Sequence, residues 1–145
     1  MQTRRHFLVM LGGVCASAAC SSEGGDGAGQ GTGGVAAGNV SAVPVGHLAF
    51  VSGASAILGR DAGGLYAMSA ICTHQSCDMS ERGAIASGVV SCACHGSKFS
   101  ATGEVTNGPA SSALRHFKVE LAADGSITIQ KGSAVDAATR AAVPG

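Results

Sequence analysis

From position 40 onward the apolar residues come in short runs separated by turn residues, and within the runs they tend to alternate with polar ones. Runs at 48–51, 55–58, 65–71, 89–91, 114–121 and 126–130 read as strands. Turn chemistry falls between them at Ser52-Gly53, at Asp61-Ala62-Gly63-Gly64, at Gly103 and at Asp124-Gly125. Alternation is clearest in 114–121, where Leu114, His116, Lys118 and Glu120 make a largely polar face and Arg115, Phe117, Val119 and Leu121 a largely apolar one. The pattern predicts a small all-β, antiparallel domain. A helical period is absent except over 134–142, expected to be a short terminal helix or disordered.

Before position 40 the pattern is different. Residues 23–38 are almost all Gly and Ala with a few polar residues, which predicts a flexible tether. Thr3-Arg4-Arg5-His6-Phe7-Leu8, then a modest apolar run and small residues up to Cys20, resembles a twin-arginine export signal. The apolar run is shorter than the ~20 residues that cross a bilayer. Ser17-Ala18-Ala19-Cys20 resembles a lipoprotein cleavage box that would leave Cys20 acylated and the protein on a membrane surface, and Ala16-Ser17-Ala18 is a competing cleavage site. The organisation read from the chain is therefore a signal over 1–20, a linker over 21–39, a folded domain over 40–131 and a tail over 132–145.

Composition bounds what such a domain can do. With 145 residues there is room for one core, and with four Phe, one Tyr and no Trp that core is expected to be thin and built from Val, Ile, Leu and Ala. A thin core makes covalent and metal staples matter. Formal net charge is zero with no basic stripe, which leaves no electrostatic footprint for nucleic acid.

The chemistry is concentrated in two boxes, Cys72-Thr73-His74-Gln75-Ser76-Cys77 and Cys92-Ala93-Cys94-His95-Gly96-Ser97. Each offers cysteine and histidine, and both sit on loops after predicted strands. Two thiolates with two neutral imidazoles suit either a tetrahedral zinc or an iron–sulfur cluster in which histidines replace two cysteines on one iron, and spacing alone leaves both open. Of the five histidines, His6 lies in the leader, while His47 and His116 lack neighbouring ligands and are expected to be ordinary surface residues.

Together with Phe99, Gly103 and Gly108-Pro109-Ala110, these boxes resemble those of Rieske [2Fe-2S] proteins of the disulfide-containing, high-potential kind found in cytochrome bc complexes and the arsenite oxidase small subunit. The resemblance covers roughly 40–130. It implies a Rieske-type β-sandwich with one [2Fe-2S] cluster per chain. Cys72 and Cys92 would bind one iron, His74 and His95 the other, and Cys77 and Cys94 would form a disulfide. It further implies that Gly96 and the Ser97 hydroxyl tune the cluster, and that Gly108 and Pro109 belong to a third loop covering it. Two positions depart from quinol-oxidising members: Phe99 stands where a tyrosine hydroxyl is expected, and Gln75 where an apolar tip residue is expected. Both favour a potential below that of those members, inside the range of about −150 to +300 mV for such centres.

The reading that uses all of these features is an exported electron carrier, not catalytic alone, with a redox protein as donor and another as acceptor. Alternatives are the iron–sulfur subunit of a quinol–cytochrome c oxidoreductase, the small subunit of a periplasmic oxidase and, in a different class, a structural zinc module.

Overall fold

The computed structural model describes residues 34–145. The expected signal, with Cys20, and the expected linker up to position 33 lie outside the described residues.

Ten strands, one short α-helix and a 3-10 turn at Val40–Ala42 make up the described chain. In order the strands and the helix are β1 (Gly34–Asn39), β2 (Leu48–Val51), β3 (Ala56–Asp61), β4 (Gly64–Ser69), α1 (Met79–Arg82), β5 (Gly83–Ala86), β6 (Val89–Cys92), β7 (Lys98–Phe99), β8 (Val105–Asn107), β9 (His116–Leu121) and β10 (Ser126–Val135). All pairings are antiparallel. A six-stranded sheet runs in the order β1-β10-β9-β4-β3-β2, and a four-stranded sheet runs β5-β6-β7-β8.

The alternation of β3 and β4 explains why there are two cores. Ile57, Tyr66 and Met68 point to one side of the large sheet, and Ala56, Leu58, Leu65 and Ala67 to the other. On the first side they meet Ala70, Met79, Val90, Phe99, Ala110 and Leu114 together with Cys72 and Cys92. On the second they meet Val43, Phe117, Ile127 and Ile129. The ligand boxes are thus rooted in a dry core, where each large apolar side chain contributes about 1.5–3 kcal/mol. Register is held tightly at one point: a Cβ on Gly59 would lie 2.2 Å from the Tyr66 ring, so any larger residue there would displace the tyrosine. Val, Ile, Leu and Ala make up much of the core as expected, but among the described residues the rings of Tyr66, Phe99 and Phe117 are buried in it as well.

The six expected strands are present, β2 with the expected ends and the other five with shifted ones, and several segments differ from expectation. Gly34–Asn39, read as the end of the linker, is a strand: Val35 pairs with Ile129 and, with Ala37, packs on the second core. Its small residues carry no β signal of their own, and β10 supplies the template. The tail is neither helical nor loose. Ala141 and Leu65 exchange backbone hydrogen bonds of 2.8 and 2.9 Å, and Arg140 pairs with Asp61 at 2.7 Å while its guanidinium lies 4.3 Å from the centre of the Tyr66 ring. His116 is not a surface residue. It is 4% exposed, because at that end β9 pairs with β4 and its expected polar face turns into the first core beside Leu114. Its Nδ1–H donates to the Leu114 carbonyl at 3.2 Å, Nε2 is buried without a partner, and burial holds its pKa below the ordinary value. His47 is half-buried.

Candidate metal centre

Each ligand box is a tight hairpin of the same construction. In the first, Ile71 bridges Asp78, the Cys72 N–H donates to the Cys77 carbonyl at 2.8 Å, and the Ser76 N–H donates back to Cys72 at 3.0 Å. In the second, Ser91 pairs with Lys98, the Cys92 N–H donates to the Ser97 carbonyl at 2.8 Å, and the Gly96 N–H donates to Cys92 at 3.0 Å. The fifth residue of each turn is left-handed, Ser76 at φ 56° and Gly96 at φ 83°. Only glycine adopts that conformation without cost. Closing the turn so tightly puts the leading cysteine inside and the histidine toward the rim. Cys72 and Cys92 are each 2% exposed, His74 is half-buried and His95 exposed.

The two hairpins are tied together in three ways. Cys77 and Cys94 form a disulfide. The imidazoles of His74 and His95 meet edge to face with centroids 4.9 Å apart. A third loop reaches both: Thr73 Oγ1 donates to the Ser112 carbonyl at 2.6 Å, Asn107 Nδ2 donates to the Gly96 carbonyl at 3.0 Å, and the Ala110 N–H donates to the buried Ser97 Oγ at 3.0 Å. Gly108 and Pro109 lie on this loop and are exposed. Thr73, Asn107 and Ser112 were not legible as site residues, since a threonine or asparagine in a turn carries no signal of what it will reach. Gln75 is exposed at the tip of the first hairpin, and Phe99 is fully buried under the second.

Burial pushes the Cys92 thiol pKa up; hydrogen bonds from the Cys94 and His95 backbone pull the other way, and the neighbouring Cys72 adds to the rise. A thiol held in this way is protonated most of the time, and a binding metal displaces the proton. His74 Nδ1 is buried with no hydrogen-bond partner, a costly state that ligation of a metal would relieve. Two buried thiols, this nitrogen and an imidazole at the rim fit a cluster with mixed cysteine and histidine ligation. The sulfurs of Cys77, Cys92 and Cys94 also lie within 4.8 Å of one another, but two of them are bonded together, so that trio is not a ligand set.

The family model for the Rieske [2Fe-2S] domain matches residues 35–118. The chain belongs to this family. As a Rieske domain it is an iron–sulfur electron-transfer unit, and the family implies a [2Fe-2S] cluster. The chain is 37% identical over 67 residues to the cytochrome b6-f complex iron-sulfur subunit of Chlorobaculum tepidum, covering 46% of this chain and 35% of that one. It is 38% identical over 93 residues to the same subunit of Synechococcus sp. WH7803, covering 59% and 51%. The Rieske chain thus spans between about a third and half of the length of these curated relatives. Among solved structures, a complex of reduced oxygenase and oxidized ferredoxin in carbazole 1,9a-dioxygenase matches with 26% identity and a TM-score of 0.48, over 66% of this chain and 91% of that one.

Proposed function

We propose that this Rieske domain is an exported single-electron carrier whose [2Fe-2S] cluster is held by Cys72 and Cys92 on one iron and by His74 and His95 on the other. The observation that supports the reading is the pair of matched hairpins, which carry two buried free thiols that neighbour each other and two imidazoles that meet edge to face. When bound, the cluster supplies reversible one-electron chemistry. The chain's own residues do the rest. Cys72 and Cys92 would hold one iron from the dry core, while His74 and His95 sit at the rim, with His95 open to solvent as the contact point for a donor or acceptor. The disulfide, Thr73 and Asn107 hold the hairpins at fixed spacing. Ser97 accepts from Ala110 through its oxygen, which leaves the hydroxyl proton free to donate inward.

The cytochrome b6-f complex iron-sulfur subunits named above support a second reading, the iron–sulfur subunit of a quinol-oxidising cytochrome complex; the small subunit of a periplasmic oxidase stands on the sequence motifs alone. Against the quinol role stand the polar amide of Gln75 at the exposed tip and the missing hydroxyl at buried Phe99. A cytochrome or an oxidase remains a fitting redox partner for a free-standing carrier. Export, with a lipid on Cys20 holding the domain near a membrane surface, completes the proposal and agrees with a disulfide suited to an oxidising compartment.

The test is an EPR spectrum of the dithionite-reduced protein, with iron and acid-labile sulfide assayed on the same sample. A Rieske-type signal with two irons per chain is expected; a silent, colourless protein carrying zinc would sink the reading. Co-purification with a cytochrome b would move the protein to the second reading.

A further inference from the structure

The bridge and the ligand thiol are closer together than a passive staple requires. The sulfurs of Cys77, Cys94 and Cys92 all lie within 4.8 Å of one another. Cys92 is the free member, buried at 2% exposure and therefore shielded from thiols in solution. Cys72, the other free thiol among the described residues, is not one of this trio.

We infer that Cys92 is a latent nucleophile toward the Cys77–Cys94 bridge, and that its occupation as a metal ligand is what keeps the bridge between its native partners. The inference rests on the reading of Cys92 as a ligand. Thiol–disulfide exchange proceeds by attack of a thiolate on one sulfur of a disulfide. Here the small fraction of Cys92 that has lost its proton attacks Cys77 Sγ through its sulfur. The Cys77–Cys94 bond breaks, a Cys77–Cys92 bond forms, and the electron pair leaves on Cys94 Sγ, which takes up a proton. The step is an isomerisation, with no net oxidation and no outside reagent. Attack at Cys77 keeps a bridge between the two hairpins, whereas attack at Cys94 would join residues two apart on one turn. Held side by side, the groups react as one molecule, and this replaces a slow encounter with a fast internal step.

An order of assembly follows. A metal-free chain that oxidises first can settle with Cys92 consumed in a wrong bridge, and one ligand is then gone. A chain loaded first has no free Cys92 sulfur, and oxidation then has a single outcome. The site is thus proofread by sequence of events: loading precedes bridging.

The experiment uses the full loaded chain under anaerobic conditions. An iron chelator is added, aliquots are quenched in acid and alkylated in denaturant, and the labelled cysteines are mapped by mass spectrometry over time. Among the four cysteines of the domain, the label at time zero falls on Cys72 and Cys92. The expected result is a loss of label at Cys92 matched one for one by a gain at Cys94, or in smaller part at Cys77, with Cys72 unchanged. Two results overturn the inference: label that stays on Cys72 and Cys92 throughout, or label lost from Cys72 as well, which is random scrambling in an unfolded chain. Iron and sulfide content of the starting sample reports the ligand reading separately. A chain that holds neither, yet keeps its native bridge, also overturns the inference, because a free Cys92 has then left the bridge alone.

Discussion

The hairpin at 72–77 and the hairpin at 92–97 are the same piece of backbone made twice. Both close with a first-to-sixth hydrogen bond of 2.8 Å, and both place a left-handed residue fifth. They differ in side chains. The first carries its histidine third and a cysteine sixth; the second carries a cysteine third, its histidine fourth and a serine sixth. That shift lets the sixth residue of one turn reach the third residue of the other to make the disulfide, while both leading cysteines stay buried. Their anchorage also differs. Below the first turn Asp78 caps α1, accepting from the Ser80 N–H at 2.9 Å and from the Ser55 hydroxyl, whereas the equivalent position below the second is Lys98, exposed at the head of β7. Backbone sets where ligands go, and side-chain order sets how the two turns are joined.

If the turns are equivalent as ligand carriers, replacing either member of the pairs Cys72 with Cys92 or His74 with His95 by Ala is expected to abolish the cluster altogether. Visible absorbance and iron content would show it, and a variant that keeps two irons would break the equivalence. Breaking the link between the turns comes next in size. The bridge closes a separation of 17 residues, and Cys77→Ser with Cys94→Ser is expected to cost about 3 kcal/mol in chemical denaturation of the loaded protein.

A smaller effect distinguishes the two fifth positions. Nothing lies within 4 Å of a Cβ built on Gly96, so Gly96→Ala should lose only what its φ of 83° costs, about 1–2 kcal/mol. Ser76→Gly relieves the matching strain but frees the unfolded chain by about as much, and a net change near zero is expected from the same denaturation curves. An equal loss from both substitutions would show that the turns are not held alike.

The smallest effect concerns the anchors. Burial alone would raise the Asp78 pKa, but hydrogen bonds from Ser55 and Ser80, with Lys131 nearby, hold it below the ordinary carboxylate value. A depressed carboxylate contributes stability that is present above its unfolded pKa of about 3.9 and lost as the pH falls through the folded value. Asp78→Asn is therefore expected to destabilise the protein at neutral pH and to flatten its loss of stability in acid. Unchanged acid sensitivity in this variant would remove Asp78 from the account.

Much of this arrangement could be read before any coordinates, and the reasons are uneven. The ligand boxes were legible because cysteine and histidine at fixed spacing have few other uses. Strands such as β2 and β6 were legible because their apolar runs end in turn residues. The strand over 34–39 was not, since glycine and alanine write no pattern, and its partner β10 decides its conformation. His116 was misplaced by treating alternation as uniform along β9; Leu114 on the same face was the signal that this end turns inward. The contacts of Thr73 with Ser112 and of Asn107 with Gly96 join residues far apart in sequence, and nothing local to either partner announces them.

Those last contacts bear on how fast the domain can work. An arriving or departing electron changes the charge at the site by one unit, and the surroundings must then resettle around the new charge. Here the dipoles nearest the thiols are backbone groups already engaged within closed turns, and those turns are fastened to each other and to the third loop. A polar environment fixed in advance has little left to rearrange when the charge changes. With that inertia small, the pace of exchange should follow how closely a partner approaches the rim at His95 and not how quickly the domain itself can yield.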